Sequence, residues 1–176
     1  MHKIGCRRQY KFPIQHYMVQ GRADSGEWYS VESNTLETMK KCVEFIKGCC
    51  GPKVASKFVQ YFKRASGVTN GRNRVVLLMG PYVIKFPISW DGHADNDWEG
   101  SISNAKEDEP DYNPDNVQYA RTRLAYFEKT PILFMEQVKS TDEPYEVLPD
   151  WVGYVDCAQV GYNRKGKLVA YDYGIR

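Results

Sequence analysis

Residues 67–87 run GVTNGRNRVVLLMGPYVIKFP. A glycine-containing turn leads into a β-rich run, Arg74 to Met79. Gly80-Pro81 marks a tight turn, and Tyr82 to Phe86 form a second β-rich run. The stretch therefore reads as turn, strand, tight turn, strand. Within the second run, Lys85 stands among Val83, Ile84 and Phe86. Strand periodicity alone sends such a lysine to the solvent face, and service to a buried anion is its other use.

Downstream, residues 88–109 are polar, and a helix is expected to start near Asp95 or Asn96 and to contain Trp98, Glu99 and Ile102. Residues 108–116, DEPDYNPDN, form an acidic loop with two prolines. Residues 119–138 supply two more strands hinged at Lys129-Thr130-Pro131. The segment 140–149 is a loop, and 150–159, DWVGYVDCAQ, is a short ambiguous element. Residues 160–174 form a hairpin turning at Asn163 to Gly166 and leading to Asp172-Tyr173-Gly174.

Upstream, the arm of residues 1–32 is mixed, with a short hairpin about the turn Gly21 to Gly26. Residues 33–51 carry a helix signature. Ser33 or Asn34 can cap it, Glu37 lies three positions after Asn34, and Leu36, Met39, Val43 and Ile46 share a face. Gly48 and Gly51 stop that helix. A second helix opens with Pro52, carries the stripe Val54, Phe58, Tyr61 and Phe62, and closes at Gly67. The expectation is an α+β chain. Residues 1–66 form an arm and a helical pair, and 67–176 form an antiparallel sheet unit with a terminal hairpin.

Composition narrows the function classes. A length of 176 residues suits one domain with an appended arm. A net charge of +2 is too small to argue for nucleic acid by itself, and the basic run Lys3, Arg7, Arg8, Lys11 reads as a solvated arm. No apolar run approaches the ~20 residues that span a bilayer, and the start lacks an apolar signal segment. Both argue for a cytoplasmic protein that uses no membrane. The cysteines, Cys6, Cys42, Cys49, Cys50 and Cys157, are odd in number and without framework spacing. Cys49-Cys50 is an adjacent pair rather than CxxC, and His2, His16 and His93 are far apart in sequence, which speaks against a zinc site.

In sequence order, Lys85 in a strand, Glu99 in the next helix, the apolar strand LFMEQV (133–138) and Asp172-Tyr173-Gly174 after a hairpin resemble the protein-kinase fold. The resemblance covers residues 67–174 and implies a set of roles. Gly67 and Gly71 stand at the Gly-rich loop, and Lys85 is the phosphate-binding lysine with Glu99 as its partner. Glu136 and Val138 belong to the hinge that meets an adenine edge, and Asp172 is a magnesium ligand. ATP and Mg2+ are the implied cofactors. There are departures. The glycine loop has two glycines four apart and lacks a third. Counting back from Asp172, Gln159 falls where the second metal ligand, an Asn, belongs, and Tyr154 falls where the catalytic Asp belongs. Asp156 is the nearest carboxylate, two residues out of register, and its ordinary reading is a cap or turn residue. Only two residues follow Gly174, where a kinase continues into its activation segment and lower-lobe helices.

The expectation is therefore a reduced, catalytically impaired kinase-like domain, similar to small divergent ones carried by bacteriophages. It would bind and modulate a host macromolecule, a bacterial host protein, in the host cytoplasm, as an inhibitor or anti-defence factor. Tyrosine-rich composition suits such a contact surface. One alternative is an ATP- and Mg2+-dependent phosphotransferase using Lys85, Glu99 and Asp172. Another is a nucleic-acid-binding α+β domain using Arg72, Arg74 and the basic arm, against which the acidic stretch 107–115 stands. The resemblance requires Lys85 and Glu99 within salt-bridge distance and Asp172 in the same cleft.

Overall fold

The computed structural model describes residues 21–22, 28–29, 35–103, 116–141, 143–155 and 159–172. In chain order, a two-residue ladder pairs β1 (Gly21–Arg22) with β2 (Trp28–Tyr29). Two helices follow, α1 (Thr35–Cys50) and α2 (Pro52–Phe62). Next come β3 (Gly67–Asn70), β4 (Arg74–Leu78), β5 (Tyr82–Pro87) and α3 (Trp90–Ile102). Then come β6 (Thr122–Phe127), β7 (Thr130–Glu136), β8 (Val138–Ser140), two short 3-10 turns (Tyr145–Val147 and Asp150–Tyr154), β9 (Val160–Asn163) and β10 (Leu168–Ala170). The chain is α+β. Its main sheet is antiparallel in the order β3-β4-β5-β7-β6, and a second, three-stranded sheet runs β10-β9-β8. Among the described residues no helix is long and apolar enough to cross a membrane.

The two-residue period of the strands divides the core between the faces of the main sheet. Val75 and Leu77 of β4, Ile84 and Phe86 of β5, and Ile132 and Phe134 of β7 pack with Cys42 and Ile46 of α1 and Val54, Phe58 and Phe62 of α2. The Phe58 ring meets Phe86 edge-on at 5.3 Å. The alternate residues turn to the other side, where Val83, Leu133 and Met135 join Ile102, Val152, Val160 and Val169. Arg74 and Lys85 share this second side, beneath α3. The helical pair foreseen from its apolar stripe is thus one wall of the sheet's own core.

The polar stretch after β5 becomes helical earlier than its sequence indicates. The helix begins at Trp90, five residues before the expected Asp95. Ser89 caps it, its Oγ accepting from Gly92 N at 3.1 Å. Two glycines let α3 sit close. A Cβ on Gly92 would lie 2.2 Å from the Asn73 carbonyl oxygen, and one on Gly100 would lie 2.9 Å from Leu124 Cβ. The buried side of α3 is polar, holding Asp95, Asn96 and Glu99, so an apolar stripe is weak in the sequence. Two further corrections concern strands. Gly67–Asn70, read as a turn, is a paired strand, and Val138, read as the end of the strand 133–138, instead opens a separate strand, Val138–Ser140, that pairs with β9. The terminal hairpin turns at Asn163 to Gly166 as foreseen. The Asn163 Oδ1 accepts from the Lys165 and Lys167 amides, and Gly166 takes a φ of +72°.

Candidate functional site

Asn73, at the turn between β3 and β4, fixes the top of the site. Its carbonyl accepts from Ile88 N at 2.9 Å, its Nδ2 donates to Asp95 Oδ2 at 3.1 Å, and its Oδ1 accepts from Ser89 Oγ at 3.2 Å. One residue ties the turn to the start of α3. Lower on the same helix, Asn96 Nδ2 donates to the carbonyls of Lys85 (3.0 Å) and Pro131 (2.9 Å), clamping α3 across β5 and β7. These contacts hold the Glu99 carboxylate above Arg74 and Lys85.

Glu99 is fully buried (0% exposed), and Lys85 and Arg74 are nearly so. Lys85 Nζ donates to Glu99 Oε2 at 2.7 Å, to the Tyr171 carbonyl at 2.8 Å and to Asp172 Oδ1 at 3.4 Å. An ammonium has three protons, and each here has an acceptor. Arg74 Nη1 lies 2.7 Å from Glu99 Oε1, a close ion pair. Arg74 Nη2 donates to Asp172 Oδ1, and its Nε lies 3.9 Å from Asp95 Oδ2. Two cations thus face three carboxylates in a site that is buried except at Asp172.

Protonation follows from these contacts. Burial pushes the Glu99 carboxyl above its ordinary range, and Lys85 and Arg74 oppose this only in part. Burial also pushes Asp172 up, but there Lys85 and Arg74 win and the carboxyl lies below its ordinary range. Arg74 loses solvation, yet Glu99, Asp172 and Asp95 hold its guanidinium more firmly charged than usual.

Of the residues singled out in the sequence, Lys85, Glu99 and Asp172 meet in this cluster. The others lie elsewhere or do other work. Gly67 is buried in β3, where a Cβ would lie 2.7 Å from Leu78 Cδ1, so its smallness serves strand packing. Gly71 donates its amide to the Arg74 carbonyl at 2.9 Å and has open space where a Cβ would be. Glu136 accepts from the Arg121 amide (2.9 Å) and side chain and from Asn163 Nδ2, and its own amide donates to Arg121 O. The Gln137 amide donates to Pro81 O at 3.0 Å, and Val138 pairs with Asn163. The Gln159 carbonyl accepts from Tyr171 N. Asp156, Tyr173 and Gly174 lie outside the described residues, as does the cap expected at Ser33 or Asn34.

Arg74 is the functional residue that sequence reasoning misplaced. It was grouped with Arg72 as a nucleic-acid contact, but the fold buries it in ion pairs, and of the two only Arg72 is exposed. A signal was present. Arg74 opens a β-rich run whose other members, Val75, Val76, Leu77 and Leu78, are all apolar, the pattern of a strand covered on both faces rather than one with a solvent side. The fold also overrides sequence distance elsewhere. Cys49 Sγ and Cys50 Sγ lie 3.5 and 3.4 Å from His93 Nε2. Compared with protein-family models, curated proteins and solved structures, the chain gives no match.

Proposed function

We propose that the chain is a kinase-like domain whose charged cleft is closed on itself, and that it acts by binding another macromolecule rather than by phosphoryl transfer. The kinase-like part is supported by a strand lysine and a helix glutamate in contact, beside an aspartate that follows a hinge-like strand and a hairpin. The closed cleft is carried by one observation. All three Lys85 protons have acceptors within the chain, and the Asp172 oxygen that one of them reaches is also held by Arg74. A magnesium nucleotide needs a free ammonium proton for phosphate and free carboxylate lone pairs for metal. Of the two hinge residues expected to meet an adenine, Glu136 already donates its amide to the Arg121 carbonyl and Val138 is paired with Asn163. These internal contacts support a cleft that is not poised to take Mg·ATP.

A partner surface is supported by the segment of the two 3-10 turns. Tyr145, Val147 and Tyr154 are each more than half exposed there. The second turn packs on the first, since a Cβ on Gly153 would meet Tyr145 Oη at 2.6 Å. Exposed aromatics of this kind suit an interface hot spot. On the resemblance to phage-borne kinase-like proteins, the partner is a bacterial host protein, bound in the host cytoplasm to inhibit an enzyme or a defence system. The phosphotransferase reading rests on the convergence of Lys85, Glu99 and Asp172 and requires Arg74 to leave Asp172.

Calorimetry with Mg·ATP separates the two. No heat of binding is expected for the wild type. Nucleotide binding lost in Lys85→Ala, with turnover lost in Asp172→Ala, would overturn the binding-protein reading. Crosslinked capture from a bacterial lysate should yield a partner whose recovery falls in Tyr145→Ala/Tyr154→Ala. Equal recovery by the variant would remove this surface from the proposal.

A further inference from the structure

The last two residues of α1, Cys49 and Cys50, face the first turns of α3 across the corner where Gly51, with a φ of +89°, swings the chain into α2. His93 comes from α3. Its Nε2 lies 3.5 Å from Cys49 Sγ and 3.4 Å from Cys50 Sγ, and the three donor atoms all lie within 4.8 Å of one another. Zinc–sulfur bonds of about 2.3 Å and zinc–nitrogen bonds of about 2.05 Å at a tetrahedral angle set an S···N edge of about 3.6 Å. Both observed separations are close to that edge. Two thiols and an imidazole are also the soft and borderline donors that zinc prefers over magnesium or calcium.

The surroundings suit an ion. All three side chains are half-buried, so the cluster is reachable from solvent. The Pro87 carbonyl, 3.5 Å from Cys50 Sγ, accepts from the thiol when no metal is bound. The Trp90 ring lies 5.3 Å from the His93 ring and screens it on one side.

We propose that Cys49, Cys50 and His93 form a three-ligand zinc site that fastens the corner of α1 and α2 to the start of α3. The inference is independent of the kinase-like reading. Its consequence for the rest of the molecule is positional. The helix so fastened carries Asp95, Asn96 and Glu99, so the ion steadies the element that seats the buried charge cluster.

The test uses the full chain, reduced and stripped of metal with a chelator, then titrated with Co2+ as a spectroscopic stand-in. One equivalent is expected to give a thiolate-to-cobalt charge-transfer band and the intense visible bands of tetrahedral cobalt, and Zn2+ should bleach both. Cys49→Ser and His93→Gln, each checked for folding by circular dichroism, should weaken Zn2+ binding by about 100-fold or more, as loss of one of three ligands requires. Cys6→Ser/Cys157→Ser should bind as the wild type does. A weak octahedral cobalt spectrum in the wild type would overturn the site without any variant. Undiminished affinity in His93→Gln, or lost affinity in Cys6→Ser/Cys157→Ser, would overturn it equally.

Discussion

Glu99 has no exposed surface and touches two cations, so its energetics are set by what remains when one partner is removed. Breaking a buried pair from one side strands the other charge, which costs about 3–5 kcal/mol. Arg74→Met is therefore expected to lower the unfolding free energy by about that amount in urea titrations, although methionine fills much of the volume. A loss below about 1 kcal/mol would mean that Arg74 is not the partner it looks to be. Asp172 adds a pH dependence with a definite sign. Its carboxyl is held below the ordinary range when folded, so the unfolded chain binds the proton more readily. Its stabilisation is present above about pH 4, the unfolded value, and is lost as pH falls through the folded one. Asp172→Asn should thus be less stable than wild type by about 2 kcal/mol at pH 7, the scale of a charged hydrogen bond. The gap should close in acid. Denaturant midpoints measured across pH would show this, and a gap constant with pH would contradict it. Lys85 and Glu99 were legible as a pair only through the family pattern, because periodicity alone sent Lys85 to solvent. Nothing in the residues near Arg74 announces a partner that is 98 positions away.

At the scale of elements, α3 is the piece on which the cluster depends, and its seat is made by absent side chains. A Cβ on Gly92 would press on a backbone carbonyl, which cannot move without shifting the β3–β4 turn. One on Gly100 would press on the Leu124 side chain, which can rotate. Gly92→Ala is accordingly expected to cost about 2–3 kcal/mol, in the range of overpacked cores. Gly100→Ala should be milder, since alanine recovers up to about 1 kcal/mol of helix propensity. Gly71→Ala, with open space around it, should stay within about 0.5 kcal/mol of wild type. Equilibrium unfolding of the three variants ranks them, and a Gly71 variant as damaged as the Gly92 variant would refute the steric account. The same element shows why sequence reading fell short. Runs such as Arg74–Leu78 and Tyr82–Pro87 signal strands through β-branched and aromatic residues. The inner face of α3 is Asp95, Asn96 and Glu99, so the period that marks a helix is carried by polar groups. Short strands such as Val138–Ser140 exist because a partner strand is there, which no local window contains.

For the whole molecule, the change of character at residue 67 is real in the sequence but is not a physical boundary. Residues on both sides of it build one core: Ile46, Val54, Phe58 and Phe62 before it, Val75, Leu77, Ile84, Phe86 and Ile132 after it. The helical pair was legible because its apolar stripe has the right period. What it covers was not, since a stripe declares that it must be buried without saying against what. A chain of residues 67–176 alone would bare the Val75, Leu77, Ile84, Phe86, Ile132 and Phe134 face of its sheet. At about 1.5–3 kcal/mol per large apolar side chain, that loss is of the same size as the entire stability of about 5–15 kcal/mol expected for a domain. The fragment is therefore expected to show no cooperative thermal transition, whereas the full chain melts as a unit. Because a fragment can fail for unrelated reasons, Phe58→Ala in the full chain supplies the complementary measurement. It removes a fully buried ring of α2 and should cost about 3–5 kcal/mol. If the core is one, the loss must shift the far-ultraviolet signal of the helices and the emission of Trp151, packed on the opposite side of the sheet, to the same lower midpoint. Two separated midpoints, with only the helical signal displaced, would mean that residues 1–66 fold as an appendage and that the sheet stands without them.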